Sequence, residues 1–196
     1  MAYPIIERIH ALFNDKSLRK RFLKLRLPLF LVLFVLLLTQ LEPRWFFPGL
    51  VVSVLGELLQ LWCFATIKTQ KRLTTEGPYM FMRNPMYIGR FFLILGVLLM
   101  TANPWLIAVY VIIYYFYMVN RVRREEKVLH ELFGGEYAAY CREVPPYRPT
   151  LKRLAPDKLF LFDPESFRQN HGWRNMAVVG LCYIVLFVFT YIYRLG

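Results

Sequence analysis

From Trp45 to Ile67 the chain carries one ionisable side chain, Glu57, in a run as long as the roughly 20 apolar residues a helix needs to cross a bilayer. Inside lipid every backbone N–H and C=O must be satisfied within its own segment, so such a run has to be helical unless it belongs to a closed barrel. More runs follow the same pattern. Between Leu25 and Leu41 the only charge is Arg26 at the edge, and Leu27 to Leu38 is apolar apart from Pro28. That first span is slightly short and leans on its flanks. Ile88 to Met100, interrupted by Arg90, and Trp105 to Val119 are joined by Thr101-Ala102-Asn103-Pro104, a turn and helix start. They read as a tight hairpin whose first helix begins near Pro85, with a re-entrant pair that never crosses as the competitor. A last run extends from about Asn175 to Tyr193, with Trp173 where an interfacial anchor belongs. The expectation is an all-α polytopic membrane protein of about five transmembrane helices, a single domain over residues 1–196, with a helical extension beyond the fourth span.

Charge gives the orientation. Seven Lys or Arg precede the first span, five lie from Lys68 to Arg90 and eleven from Arg121 to Arg174, which leaves only Arg44 and Arg194 for the opposite side. The positive-inside bias places the amino terminus and both long loops in the cytoplasm and the carboxyl terminus outside. A net charge of +12 distributed in this way points to anionic phospholipid rather than nucleic acid. Residues 14–26 begin with Asn14 and Asp15, either able to cap a helix, and mix Lys and Arg with Leu and Phe. They form either a basic interfacial helix or topogenic charge with little helix. The start, Met-Ala-Tyr-Pro, lacks a short apolar core with a cleavage site, so the first span is expected to remain as an anchor. Cys63, Cys141 and Cys182 stand too far apart to suggest a disulfide framework, and His10, His130 and His171 imply no metal site.

Polar chemistry concentrates in residues 75–150. Residues 75–89 read TEGPYMFMRNPMYIG: a Gly77-Pro78 turn, then Arg83 and Asn84 at the start of a helix opened by Pro85. Arg83 and Asn84 suit recognition of an anion and an amide at a helix amino end, or equally a topogenic arginine with an asparagine cap. Residues 121–149 carry Glu125 and Glu126 on a charged continuation of the fourth span. Neighbours on a helix point about 100° apart, so one glutamate can face inward while the other pairs with a nearby Arg. Gly134-Gly135 signals the end of that helix, a second short one runs from Glu136 to about Val144 with Tyr137 and Tyr140 on one side, and Pro145, Pro146 and Pro149 extend the backbone after it. Glu57 is either a substrate-facing or helix-pairing group, or a polar lining of a water-filled cleft.

In this order the two segments resemble the family that includes isoprenylcysteine carboxyl methyltransferases and phospholipid N-methyltransferases. Gly77, Pro78, Tyr79, Arg83, Pro85 and Tyr87 match its first motif, with Asn84 where His is more usual; Glu125, Glu126, Leu129, Phe133, Gly134, Tyr137, Tyr140, Val144, Pro145, Arg148 and Pro149 match its second. The resemblance covers roughly residues 50 to 150. It implies S-adenosylmethionine held in a cytoplasm-facing pocket between helices, with Tyr79, Arg83, Asn84, Pro85, Tyr87, Glu125 and Glu126 as the cofactor-binding set. It also implies a lipid or lipid-modified acceptor, either a phospholipid amine or an isoprenylcysteine carboxylate. Asn84 offers fixed amide hydrogen bonds where His would titrate, which argues against a general base there. Because a sulfonium methyl is already electrophilic, the protein has mainly to align a nucleophile and exclude water. Arg148 is the candidate for orienting acceptor oxygens, with Tyr140 and Glu57 completing the catalytic set and Tyr147 a further pocket wall. A nicotinamide-dependent membrane reductase, or a non-enzymatic scaffold or transporter, are the alternatives.

Overall fold

The computed structural model describes residues 4–68 and 72–193; the first three residues, residues 69–71 (with Lys71) and residues 194–196 (with Arg194) lie outside them, as do the side chains of Pro4, Ile5, Lys16 and Arg19. Among the described residues the chain is all α, without a strand. In order come α1 (Pro4–Asn14), α2 (Lys16–Leu38), α3 (Pro43–Thr66), a 3₁₀ turn (Gly77–Met80), α4 (Pro85–Leu99) and α5 (Pro104–Glu143). Short helices α6 (Pro156–Leu159) and α7 (Pro164–Gln169) lead into α8 (Gly172–Val188), which ends in a π-helical turn, Phe189–Tyr193.

Proline opens α3, α4 and α5, where its missing N–H costs nothing, and Asn103 caps α5 by accepting from the N–H groups of Trp105 and Leu106, both at 3.1 Å. The expected hairpin is therefore present, turning between Leu99 and Pro104. Helix α5 continues past its apolar part and breaks at Gly134, whose φ of 46° few other residues adopt, so Gly134 separates the two helical pieces that the sequence anticipates.

Two differences from expectation have physical causes. The helix expected at residues 14–26 is present from Lys16, but as the start of one continuous α2: Asn14 ends α1 and Asp15 caps α2, its carboxylate accepting from Leu18 N–H at 2.8 Å. Pro28 sits within that helix without ending it. Second, α3, α5 and the α8 region (Gly172–Tyr193) are long and apolar enough to cross a membrane, while the expected crossings by α2 and α4 fall short of that standard. Helix α4 is apolar but has 15 residues, about 22 Å at 1.5 Å per residue. Helix α2 has 23, yet Arg21, Lys24 and Arg26 confine its uncharged part to residues 27–38.

What positions the site is the contact between α3 and α4. Gly49, Ser53 and Gly56 on α3 face Gly89 and Gly96 on α4 so closely that a Cβ on Gly56 would lie 2.3 Å from Leu93 N and 2.5 Å from Gly89 O. Small residues let helix backbones approach within lipid, where no hydrophobic force drives them together. Ser53 Oγ ties this seam together, donating to Leu93 O at 2.7 Å and lying 2.8 Å from Tyr183 Oη on α8. At one end of the bundle Leu41, Phe46, Met100 and Leu186 form a core. At the other end the carboxyl end of α3, the 3₁₀ turn, the start of α4 and the extension of α5 converge, and Tyr137, Tyr140 and Val144 form a second core.

Candidate functional site

The converging end is held by backbone groups. Arg83 N–H donates to Pro145 O at 3.0 Å and Thr150 N–H to Phe81 O at 2.8 Å, laying the proline-rich segment along residues 81–83. Tyr140, buried on the α5 extension, donates its hydroxyl to Tyr79 O at 2.7 Å. Tyr79 is buried in the 3₁₀ turn, and burial, reinforced by the neighbouring Cys63 and Tyr140, keeps its phenol far above the usual range and hence neutral. Two motifs, joined here by residues 61 apart in sequence, thus become one scaffold.

On that scaffold Arg83 meets Glu126: Nη1 lies 3.3 Å from Oε1, with 14% and 24% of the two side chains exposed. The same nitrogen donates to Cys141 Sγ at 2.6 Å. Burial disfavours the Arg83 charge, but the Glu126 carboxylate outweighs it and lifts the guanidinium above its ordinary value, so it stays protonated. The pair is close without being a hydrogen bond. Arg83 Nε and Glu126 Oε1 are both buried and find no hydrogen-bond partner among the described residues. A buried donor and acceptor left unspent cost about 1–3 kcal/mol each, so a polar group brought between them would be welcomed.

Asn84 does not cap α4. Its amide reaches Pro146 O at 3.4 Å instead, and α4 starts with no side-chain cap. The amino end of a 15-residue helix therefore lies beside Arg83, and its dipole favours negative charge there. Pro85 is fully buried at this start. One turn on, Tyr87 Oη accepts from Arg121 Nε at 3.3 Å, and Arg121 pairs with Glu125 at 2.9 Å. Glu125 and Glu126 thus leave α5 on different sides.

Tyr79, Arg83, Asn84, Pro85, Glu126 and Tyr140 are brought together, with Tyr87 and Glu125 on the adjoining turn. Arg148 is exposed on the rim, in the segment pinned at Pro145 and Thr150. Glu57 stands apart: buried within α3, it accepts from Asn175 Nδ2 of α8 at 2.6 Å and from Gln60 at 3.4 Å. Cys141, one helical turn after Tyr137, was not anticipated, whereas Arg121, one turn before Glu125, is the nearby arginine expected to take up one of the two glutamates. Apart from these, Asn120, an amide in an apolar run, is buried against α1, where it bonds Asn14 at 2.9 Å and lies within 3.1 Å of His10 Nδ1. No group of three or more His, Cys, Asp or Glu suited to a metal occurs among the described residues.

Residues 48–136 match the family described as phospholipid methyltransferase. The chain is 30% identical over 109 residues to protein-S-isoprenylcysteine O-methyltransferase B of Arabidopsis thaliana, covering 50% of this chain and 55% of that one. It is 28% identical over 123 residues to a probable protein-S-isoprenylcysteine O-methyltransferase of Oryza sativa subsp. indica, covering 56% and 64%. A third similarity, 29% over 124 residues covering 62% and 56%, is to the nickel-cobalt-cadmium resistance protein NccN of Alcaligenes xylosoxydans xylosoxydans. The matches span between about half and two thirds of the length of these relatives.

Proposed function

We propose, from the chain's similarity to phospholipid methyltransferases and protein-S-isoprenylcysteine O-methyltransferases, that this integral membrane protein transfers a methyl group from S-adenosylmethionine to a lipid-borne acceptor. The observation that carries the reading is the half-buried Arg83–Glu126 ion pair, whose Nε and Oε1 have no hydrogen-bond partner among the described residues. A guanidinium donor and a carboxylate acceptor side by side are complementary to the carboxylate and ammonium of an amino-acid end group, so the residues present fit the cofactor. Arg83 and the uncapped start of α4 would hold its carboxylate, and Glu126 its ammonium or a ribose hydroxyl. Tyr79, Asn84, Pro85, Tyr87 and Glu125 would frame it within residues 75–150. When bound, the sulfonium supplies an electrophilic methyl group.

The chain's own part is to bind, orient and exclude water. Arg148 on the rim orients acceptor oxygens through its guanidinium fork. Tyr140 acts through the Tyr79 carbonyl it holds, as a positioning residue. Glu57, committed to Asn175, fixes α3 against α8. The acceptor named by the relatives, an isoprenylcysteine carboxylate, already carries the nucleophile. A phospholipid amine, favoured by the description of the matched family, must first lose a proton. The site faces the cytoplasm, where the positive-inside bias puts the Lys- and Arg-rich end.

Glu126→Ala and Arg148→Ala separate the two roles when cofactor binding and labelled product are measured in matched detergent preparations. Losing a charge-assisted contact of about 1.5–3 kcal/mol weakens binding by the Glu126 variant roughly 10- to 150-fold. The Arg148 variant is expected to bind the cofactor normally and lose product formation. Full activity in both variants would remove these assignments.

A further inference from the structure

The connector between α5 and α8 does not belong to the site described above, and it is oily where a solvent-facing loop would be polar. Leu151, Leu154, Phe160, Leu161 and Phe162 are all exposed, Leu151 by 68% and Phe160 by 82%. None of them lies in a helix long enough to span a membrane. Exposed apolar patches of this kind mark a surface that something else covers.

The level at which the connector sits identifies what covers it. Asp163 N–H donates to Ala65 O at 3.0 Å, and Asn170 Nδ2 donates to Phe64 O at 3.1 Å and Ile67 O at 2.9 Å, pinning the connector and α7 to the last turn of α3. Phe160 stacks on Trp62 with centroids 5.9 Å apart and planes at 17°. Trp62 lies four residues, about 6 Å, inside the end of α3. The ring of Phe160 therefore stands below the rim of a membrane-spanning helix, on its outside, continuous with the lipid-facing apolar belt. Lys152 and Lys158, both exposed, flank the apolar cluster as snorkelling groups do at an anionic interface.

We infer that residues 151–162 form an interfacial membrane anchor, inserting Leu151, Phe160 and Phe162 into the headgroup and acyl boundary of the leaflet that borders the Arg83–Glu126 end of the bundle. The inference concerns the bilayer alone and stands whether or not methyl transfer does. It gives the site a wall of lipid on one side, at the depth where an acyl or isoprenyl chain lies.

The test uses the whole chain in vesicles of phosphatidylcholine and phosphatidylglycerol, with Cys63, Cys141 and Cys182 replaced by Ser or Ala. A single environment-sensitive fluorophore is placed through Phe160→Cys and, separately, through Leu151→Cys, which disturbs no ring stack. Leu55→Cys on the lipid face of α3 and Glu136→Cys on the exposed side of the α5 extension serve as references. Both connector sites are expected to show blue-shifted emission, quenching by shallow nitroxide lipid comparable with Leu55, and loss of the iodide quenching seen at Glu136. Iodide quenching at both sites as strong as at Glu136 overturns the inference. So does shielding from both quenchers that grows with protein-to-lipid ratio, since a second copy of the chain would then be the cover.

Discussion

Tyr140 shows how a residue chosen for chemistry can be read again from its partner. Its ring is buried and its hydroxyl is spent on the carbonyl of Tyr79, 61 residues away in sequence, so Tyr140→Phe leaves that carbonyl unsatisfied. The expected cost is about 1–3 kcal/mol, seen as a lower unfolding temperature in detergent, with part of the stability recovered when cofactor is added. An unchanged unfolding temperature would mean that the two motifs are held by other contacts. The residue types of the site were legible in the sequence: Arg83, Asn84, Glu125 and Glu126 stand out as polar groups at helix starts and continuations. Their partners were not. The pairing of Arg83 with Glu126, rather than with Glu125, depends on a helical phase that sequence leaves open, and Cys141 enters only because Arg83 lies flat against the α5 extension. Asn84 illustrates the same limit, since an asparagine before Pro85 looks like a cap, whereas its amide goes to Pro146 O.

At the scale of elements, the α3–α4 seam carries the site from a distance. A side chain at Gly56 would meet backbone atoms of Leu93, Gly89 and Phe92 within 2.8 Å, none able to rotate away. Gly56→Leu is therefore expected to separate the helices, costing about 1–3 kcal/mol or more of stability and weakening cofactor binding without touching Arg83. Thermal unfolding and cofactor titration check it together; wild-type values in both would show the seam to be dispensable. Pro85 and the Asn103-Pro104 pair made the starts of α4 and α5 visible beforehand, because those residues terminate one state of the backbone and open another. Helix α1 and the unbroken α2 were hidden for the opposite reason. A dense basic stretch looks like a connector whether it is helical or not, and the burial of Asn120 against His10 and Asn14 is tertiary information.

For the whole molecule, alternating apolar runs and the sided distribution of Lys and Arg already implied a helical bundle with one strongly basic end. The structure adds that the end of α3, the start of α4, the extension of α5 and the connector meet at one end of the bundle. In the proposed function that meeting encloses a charged cofactor beside an oily acceptor. Equilibrium binding of labelled S-adenosylmethionine, which does not cross lipid unaided, to sealed vesicles containing the chain in known orientation tests it most directly. Saturable binding is expected in inside-out vesicles only, and is weakened by Glu126→Gln. Binding in right-side-out vesicles alone, or none in either orientation while a reduced nicotinamide cofactor binds, would contradict it.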